Sequence, residues 1–192
     1  IYIDASDLHL DEGSRITAES TANVPASAIQ IQARDIVVEN ESRITTSTNN
    51  ADGGPITIQG DIILLRQGLV TTSVEGLSGN GGDITITGSS PADILVFEEG
   101  FIQANTAAEG ASGGKIFIDA RAVIAESNRL AVGGQERQTF EPGTGQNVIQ
   151  AAAPGGEQGT IRITAPELDI TGSLVNLAPN YIKPVRLATD PC

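Results

Sequence analysis

An apolar-x-apolar triplet returns along this chain at intervals near 28 residues, and that return constrains the fold more than any other feature. Its first members are Ile1, Ile29, Ile56, Ile84, Ile116 and Ile161, spaced by 28, 27, 28, 32 and 45 positions. Its second members are Ile3, Ile31, Ile58, Ile86, Ile118 and Ile163. Self-similarity at such a period is the mark of a solenoid, in which each repeat buries its apolar side chains only against its neighbours.

Two further apolar-x-apolar segments follow in each repeat. The second segment reads Leu8, Ile36, Ile62, Ile94, Val123 and Leu168, with Leu10, Val38, Leu64, Val96, Ala125 and Ile170 two places on. The third reads Ile16, Ile44, Val70, Ile102 and Ile149, followed by the small residues Ala18, Thr46, Thr72, Ala104 and Ala151. In the first four repeats the offset from second to third segment is a constant 8. Period-2 segments this short are strands and not helices. If each repeat is one turn of a coil, equivalent strands stack in parallel about 4.8 Å apart and the Ile residues form aliphatic ladders. The expected fold is therefore all-β: a parallel β-helix of about six rungs, three short strands per rung, with right-handed winding. A core of aliphatic ladders also accounts for a chain with 3% aromatic residues and no Trp or Met.

The phrases GGPITIQG, GGDITITG and GGKIFIDA place a glycine two residues before each ladder Ile, at Gly54, Gly82 and Gly114, and QGTIRITA does so at Gly159. A corner there requires either positive φ or close backbone stacking.

The repeat breaks in three places. The fourth rung carries three extra residues within TGSSPAD, a Ser/Pro turn. The fifth carries an insertion of 18 residues at about 126–147, rich in Gly and polar groups. Loops of this length are functional or disordered more often than inert; the insertion reads as a tolerated protrusion or as a contact loop. The coil occupies 1–172, and 173–192 reads as a cap crossing its open end or as a linker.

Charge narrows the partners. The 11 basic residues against 24 acidic give a net charge of −13, which disfavours nucleic acid and anionic lipid. No apolar run reaches the length of a membrane span, so no direct membrane insertion is expected. No signal-peptide pattern opens the chain, which begins in mid-pattern at IYID and reads as an excised fragment. The single Cys192 excludes an internal disulfide and leaves open a partner elsewhere.

Candidate site residues are few. Asp7, Asp35, Asp61 and Asp93 each precede the second strand and form a weak candidate ladder for a cation such as Ca²⁺, or each caps its own turn. His9, the one histidine, is expected to point outward from the second strand of the first rung. Acid–base catalysis needs two groups with pKa values driven apart by burial or partners. Corner carboxylates with few bases beside them do not meet that need, and no catalytic residue and no cofactor is expected. The outward middle positions of the second strand read Val37, Ile63, Leu95 and Ile124 in four adjacent rungs. A contiguous apolar stripe there is covered by the insertion or the tail, or is a contact face. Arg129, Arg137 and Phe140 of the insertion join the stripe as candidate partner contacts.

The running pattern, carried best by ESRITTSTNNADGGPITIQG and FIQANTAAEGASGGKIFID, resembles the repeat region of filamentous haemagglutinin-like exoproteins, the large passengers of bacterial two-partner secretion. The tail LDITGSLVNLAP…DPC is similar to the closing section of some of them. The resemblance implies a β-helical rod, secreted or held on the outer surface of a Gram-negative cell. It implies export through an outer-membrane partner barrel, and adhesion to a host or bacterial surface glycan or protein. A shaft segment mediating adhesion through its surface loops is the function expected; a carbohydrate-binding or carbohydrate-cleaving β-helix is the alternative.

Overall fold

A computed structural model describes residues 1–21, 23–88 and 93–169, and within them the chain is a β-solenoid of stacked parallel coils. The expected tail 173–192, with Cys192, and Ile170 lie outside the described residues. One face stacks the first halves of β1 (Tyr2–Leu10) and β3 (Ile29–Glu39), then β5 (Ile56–Gln59), β8 (Ile84–Thr87), β11 (Ile116–Asp119) and β15 (Ile161–Thr164). A second face stacks the remaining halves of β1 and β3, then β6 (Ile62–Arg66), β9 (Ile94–Glu98), β12 (Ala122–Ala125) and β16 (Glu167–Asp169). A third stacks β2 (Arg15–Thr17), β4 (Arg43–Thr45), β7 (Leu69–Thr71), β10 (Phe101–Gln103) and β14 (Val148–Gln150). In the first two coils the first and second strands run on as one, so three separate strands per rung begin only with β5.

Register bears out the first and third ladders. Ile31, Ile58, Ile86 and Ile118 stand opposite one another and are buried, as are Ile44, Val70, Ile102 and Ile149. At the two ends of the stack, Ile3 and Ile163 are only half-buried. Full burial of such a side chain contributes about 1.5–3 kcal/mol.

The second ladder differs from expectation in two rungs. Ile36 pairs with Ile63 and not with Ile62, Ile63 pairs with Leu95, and Leu95 with Val123. Ile63 and Leu95 therefore point into the core, 3% and 0% exposed, whereas Ile62 is 48% exposed. Leu65 and Phe97 follow them inward, and Leu64 and Val96 turn outward. A one-residue slip exchanges the faces of a whole strand.

The cause lies at the corner leading to the third strand. The first two rungs turn there with two left-handed residues, Glu12 and Gly13, then Asn40 and Glu41. The third and fourth use one, Gln67 and Glu99, so their corner is one residue shorter. Counted from Ile86 to Leu95, the fourth rung carries four extra residues instead of three.

The recurrent glycines resolve to close stacking. Gly54, Gly82, Gly114 and Gly159 have no positive φ, but a Cβ on Gly82 would lie 2.4 Å from the Gly54 carbonyl oxygen. One on Gly114 would lie 2.0 Å from that of Gly82. Backbones of successive coils approach here as only glycine permits.

The insertion folds back on the coil. After a short 3-10 turn at Glu126–Asn128, β13 (Ala131–Val132) pairs with β14, aligning Ala131 with Val148 and Val132 with Ile149. An earlier segment of the chain thereby continues the third sheet beyond β14, the last rung strand of that face among the described residues, and pairs its far edge. Leu130 enters the core, 3% exposed.

Candidate functional site

The third face carries an outward row that changes character along the rod. Arg15 and Arg43 are aligned on β2 and β4, and the same row continues as Leu69, Phe101 and Val148. The charged end stays open, while the apolar end is covered by the insertion. Phe140 packs on Leu69, Phe101 and Val148, its ring 5.1 Å from that of Phe101 in an edge-on arrangement.

Buried amides hold the insertion in place. Gln150, fully buried, accepts from Gln138 N at 2.9 Å and donates to the Glu136 carbonyl at 2.8 Å. Gln103 donates to the Gln138 carbonyl at 2.7 Å. At the stem, Asn147 accepts from Gly100 N at 3.1 Å and donates to the carbonyls of Glu126 and Arg129. Glu99 accepts from Gly143 N at 2.6 Å and Gly145 N at 3.1 Å. Arg137 spans to Glu75, its Nη2 2.6 Å from both carboxylate oxygens.

Asn147→Ala is expected to lower stability by about 2–3 kcal/mol, because it leaves one N–H and two carbonyls without their partner. Faster hydrogen exchange at Ala131 and Gly133, whose N–H groups bond across to Asn147 and Ile149, would report the loosened stem. An unchanged melting point and unchanged exchange would show that the stem is held otherwise.

Between this roof and the open part of the face lies a recess of about 590 Å³, within the range of small-molecule sites. Arg15, Arg43, Arg137 and Phe140 line it, with Thr45 and Thr71 on its floor. The Arg43 guanidinium sits over the Phe140 ring at 5.6 Å, a cation–π contact that fixes both side chains. Of the insertion residues expected to meet a partner, Arg137 and Phe140 thus come together here. Arg129 does not; it lines a separate recess of about 620 Å³ on the far side of the insertion. Arg15 and Arg43 were not singled out by sequence reasoning. Their signal was available, since two arginines occupy one ladder position in consecutive rungs.

On the second face the apolar stripe persists with two of its members exchanged. Outward are Val37, Leu64, Val96 and Ile124, flanked by Ile62 and Ile94; Ile63 and Leu95 belong to the core. The insertion, expected as one possible cover, goes to the third face and leaves Ile62 and Ile124 exposed.

The carboxylates do not converge as a ladder. Arg34 bridges Asp7 at 2.8 Å and Asp35 at 3.0 Å, and these two partners raise its pKa further, Asp35 contributing most. The one-residue slip sets Ile62, not Asp61, opposite Asp35, and Asp93 is buried beside Gly88. Among the described residues, one group brings three potential ligand atoms within 4.8 Å: His9, Asp11 and Glu39. Each already has a protein partner. His9 Nε2 lies 2.6 Å from Glu39, and Arg66 donates to Glu39 at 3.0 Å. Asn40 donates to Asp11 at 2.7 Å, which with the Glu12 N–H holds the Asp11 carboxyl below its ordinary pKa. The cluster is a satisfied surface network.

No family model, no curated protein and no solved structure matches this chain.

Proposed function

We propose that this chain is a structural and adhesive shaft segment of a secreted or surface-held bacterial exoprotein, presenting a contact site on the third face of its rod. The observation that carries the reading is the folded-back insertion. A merely tolerated protrusion has no need of buried Gln150, Gln103 and Asn147 to clamp it, yet this one is clamped and walls a recess. Buried amides are costly unless satisfied, so their concentration under one loop supports a positioned surface. The repeat pattern's resemblance to two-partner secretion passengers supports the setting: the outer surface, reached through an exporter barrel.

Cell binding by immobilised protein tests this. Replacing 134–141 with a Gly/Ser segment of equal length keeps Leu130, β13 and Asn147 while removing the roof. Binding to the target surface is expected to drop about tenfold or more, with the β-rich circular dichroism retained. A control change on the first face, Thr85→Lys, should leave binding intact. Equal binding by the roofless variant would remove the contact-site reading. Release of reducing ends from a polysaccharide would replace adhesion with the enzymatic alternative.

A further inference from the structure

We propose that the recess between β2, β4, β7 and the insertion binds an oligosaccharide bearing a single carboxylate, laid along the rod axis with its acid group on Arg15 and Arg43. This rests on the adhesive reading and names the chemistry of its contact site.

The first observation is electrostatic. Arg15 and Arg43 are direct cross-strand neighbours, their backbones about 4.8 Å apart. Like charges so placed are unfavourable. Neither makes an ion pair among the described residues, although acids outnumber bases 24 to 11 in this chain. By contrast Arg34 and Arg66 each contact two carboxylates. An acidic protein that leaves two adjacent arginines unneutralised in a recess has kept a place for an anion. Arg43 is also held ready: Phe140 stacks on it, and its Nε is buried with no protein partner. The Nε of Arg137 across the recess is likewise buried and unpartnered. Guanidinium groups match carboxylate geometry with paired N–H donors.

The second observation is the floor. Thr45 and Ser47 form a hydroxyl pair at 2.9 Å, and Thr71 and Ser73 repeat it one rung on at 2.8 Å. Gln103 takes the next rung of the same row. Each hydroxyl both donates and accepts, and a bonded pair retains spare capacity for a ligand. Polar groups thus recur at the rung spacing of about 4.8 Å, close to the length of one pyranose unit in an extended chain. A hydroxylated polymer lying along the rod meets the same pair on two successive rungs before it reaches the insertion.

The surrounding charge limits the ligand further. Glu19 and Glu75 share the lining, and the net charge is −13. Both oppose a polyanion, whereas one carboxylate on an otherwise neutral sugar chain meets two arginines and has its remaining hydroxyls free for Glu19 and the threonines.

Calorimetric titration tests the proposal with three probes: 3′-sialyllactose, a xylo-oligosaccharide carrying one glucuronate, and lactose. Binding of either acidic probe about tenfold or more tighter than lactose, weakened by salt, is the expected result; which acidic probe binds identifies sialate or uronate as the source. Arg43→Ala should abolish that preference. Arg15→Ala should do so as well, and because Arg15 is exposed its loss leaves the fold intact. No binding of either acidic probe, equal binding of lactose, or full competition by acetate would each overturn the proposal. Loss of cell adhesion in the roofless variant alongside silent titrations would remove this ligand and leave the adhesive reading standing.

Discussion

Gly82→Ala is expected to destabilise the protein by about 3 kcal/mol or more, although it adds one methyl group to a residue with an ordinary backbone conformation. The added carbon would lie 2.4 Å from the Gly54 oxygen, 2.6 Å from the Gly53 oxygen and 2.7 Å from the Gly53 carbonyl carbon. All three are backbone atoms of the neighbouring coil, so no side chain can rotate away. The coils must separate locally, and the bonds between them, from Gly53 N to the Asn80 carbonyl at 3.0 Å and from Ile56 N to the Asp83 carbonyl at 2.9 Å, separate with them. At 2–4 °C per kcal/mol for a chain of this size, the melting point should drop by roughly 6–12 °C. Gly13→Ala is the contrast. Gly13 has φ +72°, yet nothing lies within 4 Å of its added carbon, so only the conformational cost of about 1 kcal/mol applies. If Gly13→Ala proves the more damaging of the two, the close approach between coils is not what the recurrent glycines serve.

Leu95→Ala should cost about 2–5 kcal/mol, the range for emptying a buried leucine site, while Val96→Ala beside it should stay within about 1 kcal/mol. Leu95 is fully buried between Ile63 and Val123, and Val96 is half-buried on the outer face between Leu64 and Ile124. Urea unfolding of the two variants reads the difference directly. The reverse order would restore the register in which Leu95 faces outward and would undo the corrected stripe of Val37, Leu64, Val96 and Ile124. That stripe matters for any account of the surface, because Ile62 and Ile124 remain exposed beside it.

How far the fold was legible follows from where apolar residues alternate. In ITI of β5 and β8 the flanking Thr residues give the strand a phase, and the ladders through Ile58 and Ile86 could be drawn from spacing alone. In IILLR of β6 and ILVFE of β9 nearly every side chain is apolar, so alternation carries no phase. A constant offset of 8 to the third strand then suggested Ile62 and Ile94 as core members. It did so at the cost of a shortened step from Ile56 to Ile62, six positions where Ile29 to Ile36 takes seven. Outside the extended turn of the fourth rung, the step from first to second strand holds at seven positions, and the corner after the second strand varies.

The site was legible only in part. Arg137 and Phe140 stood out because polar and aromatic groups are conspicuous in an insertion, but nothing local assigns that insertion to a face. Its position depends on contacts with Gln103 and Gln150, which belong to the stacked strands and become neighbours only when the coils wind.

The sequence by itself determined that this chain coils: a period near 28 with apolar alternation leaves stacked parallel strands as the way to bury its Ile residues, and thin aliphatic ladders as the core. Tertiary structure decided the phase of the second strand in the third and fourth rungs, because a corner of one left-handed residue or two is chosen by how the rungs stack. It also decided that the insertion crosses the third face, completes that sheet through β13 and brings Phe140 against Arg43 at the edge of the recess, since those contacts join residues far apart in the chain and carry no local signal.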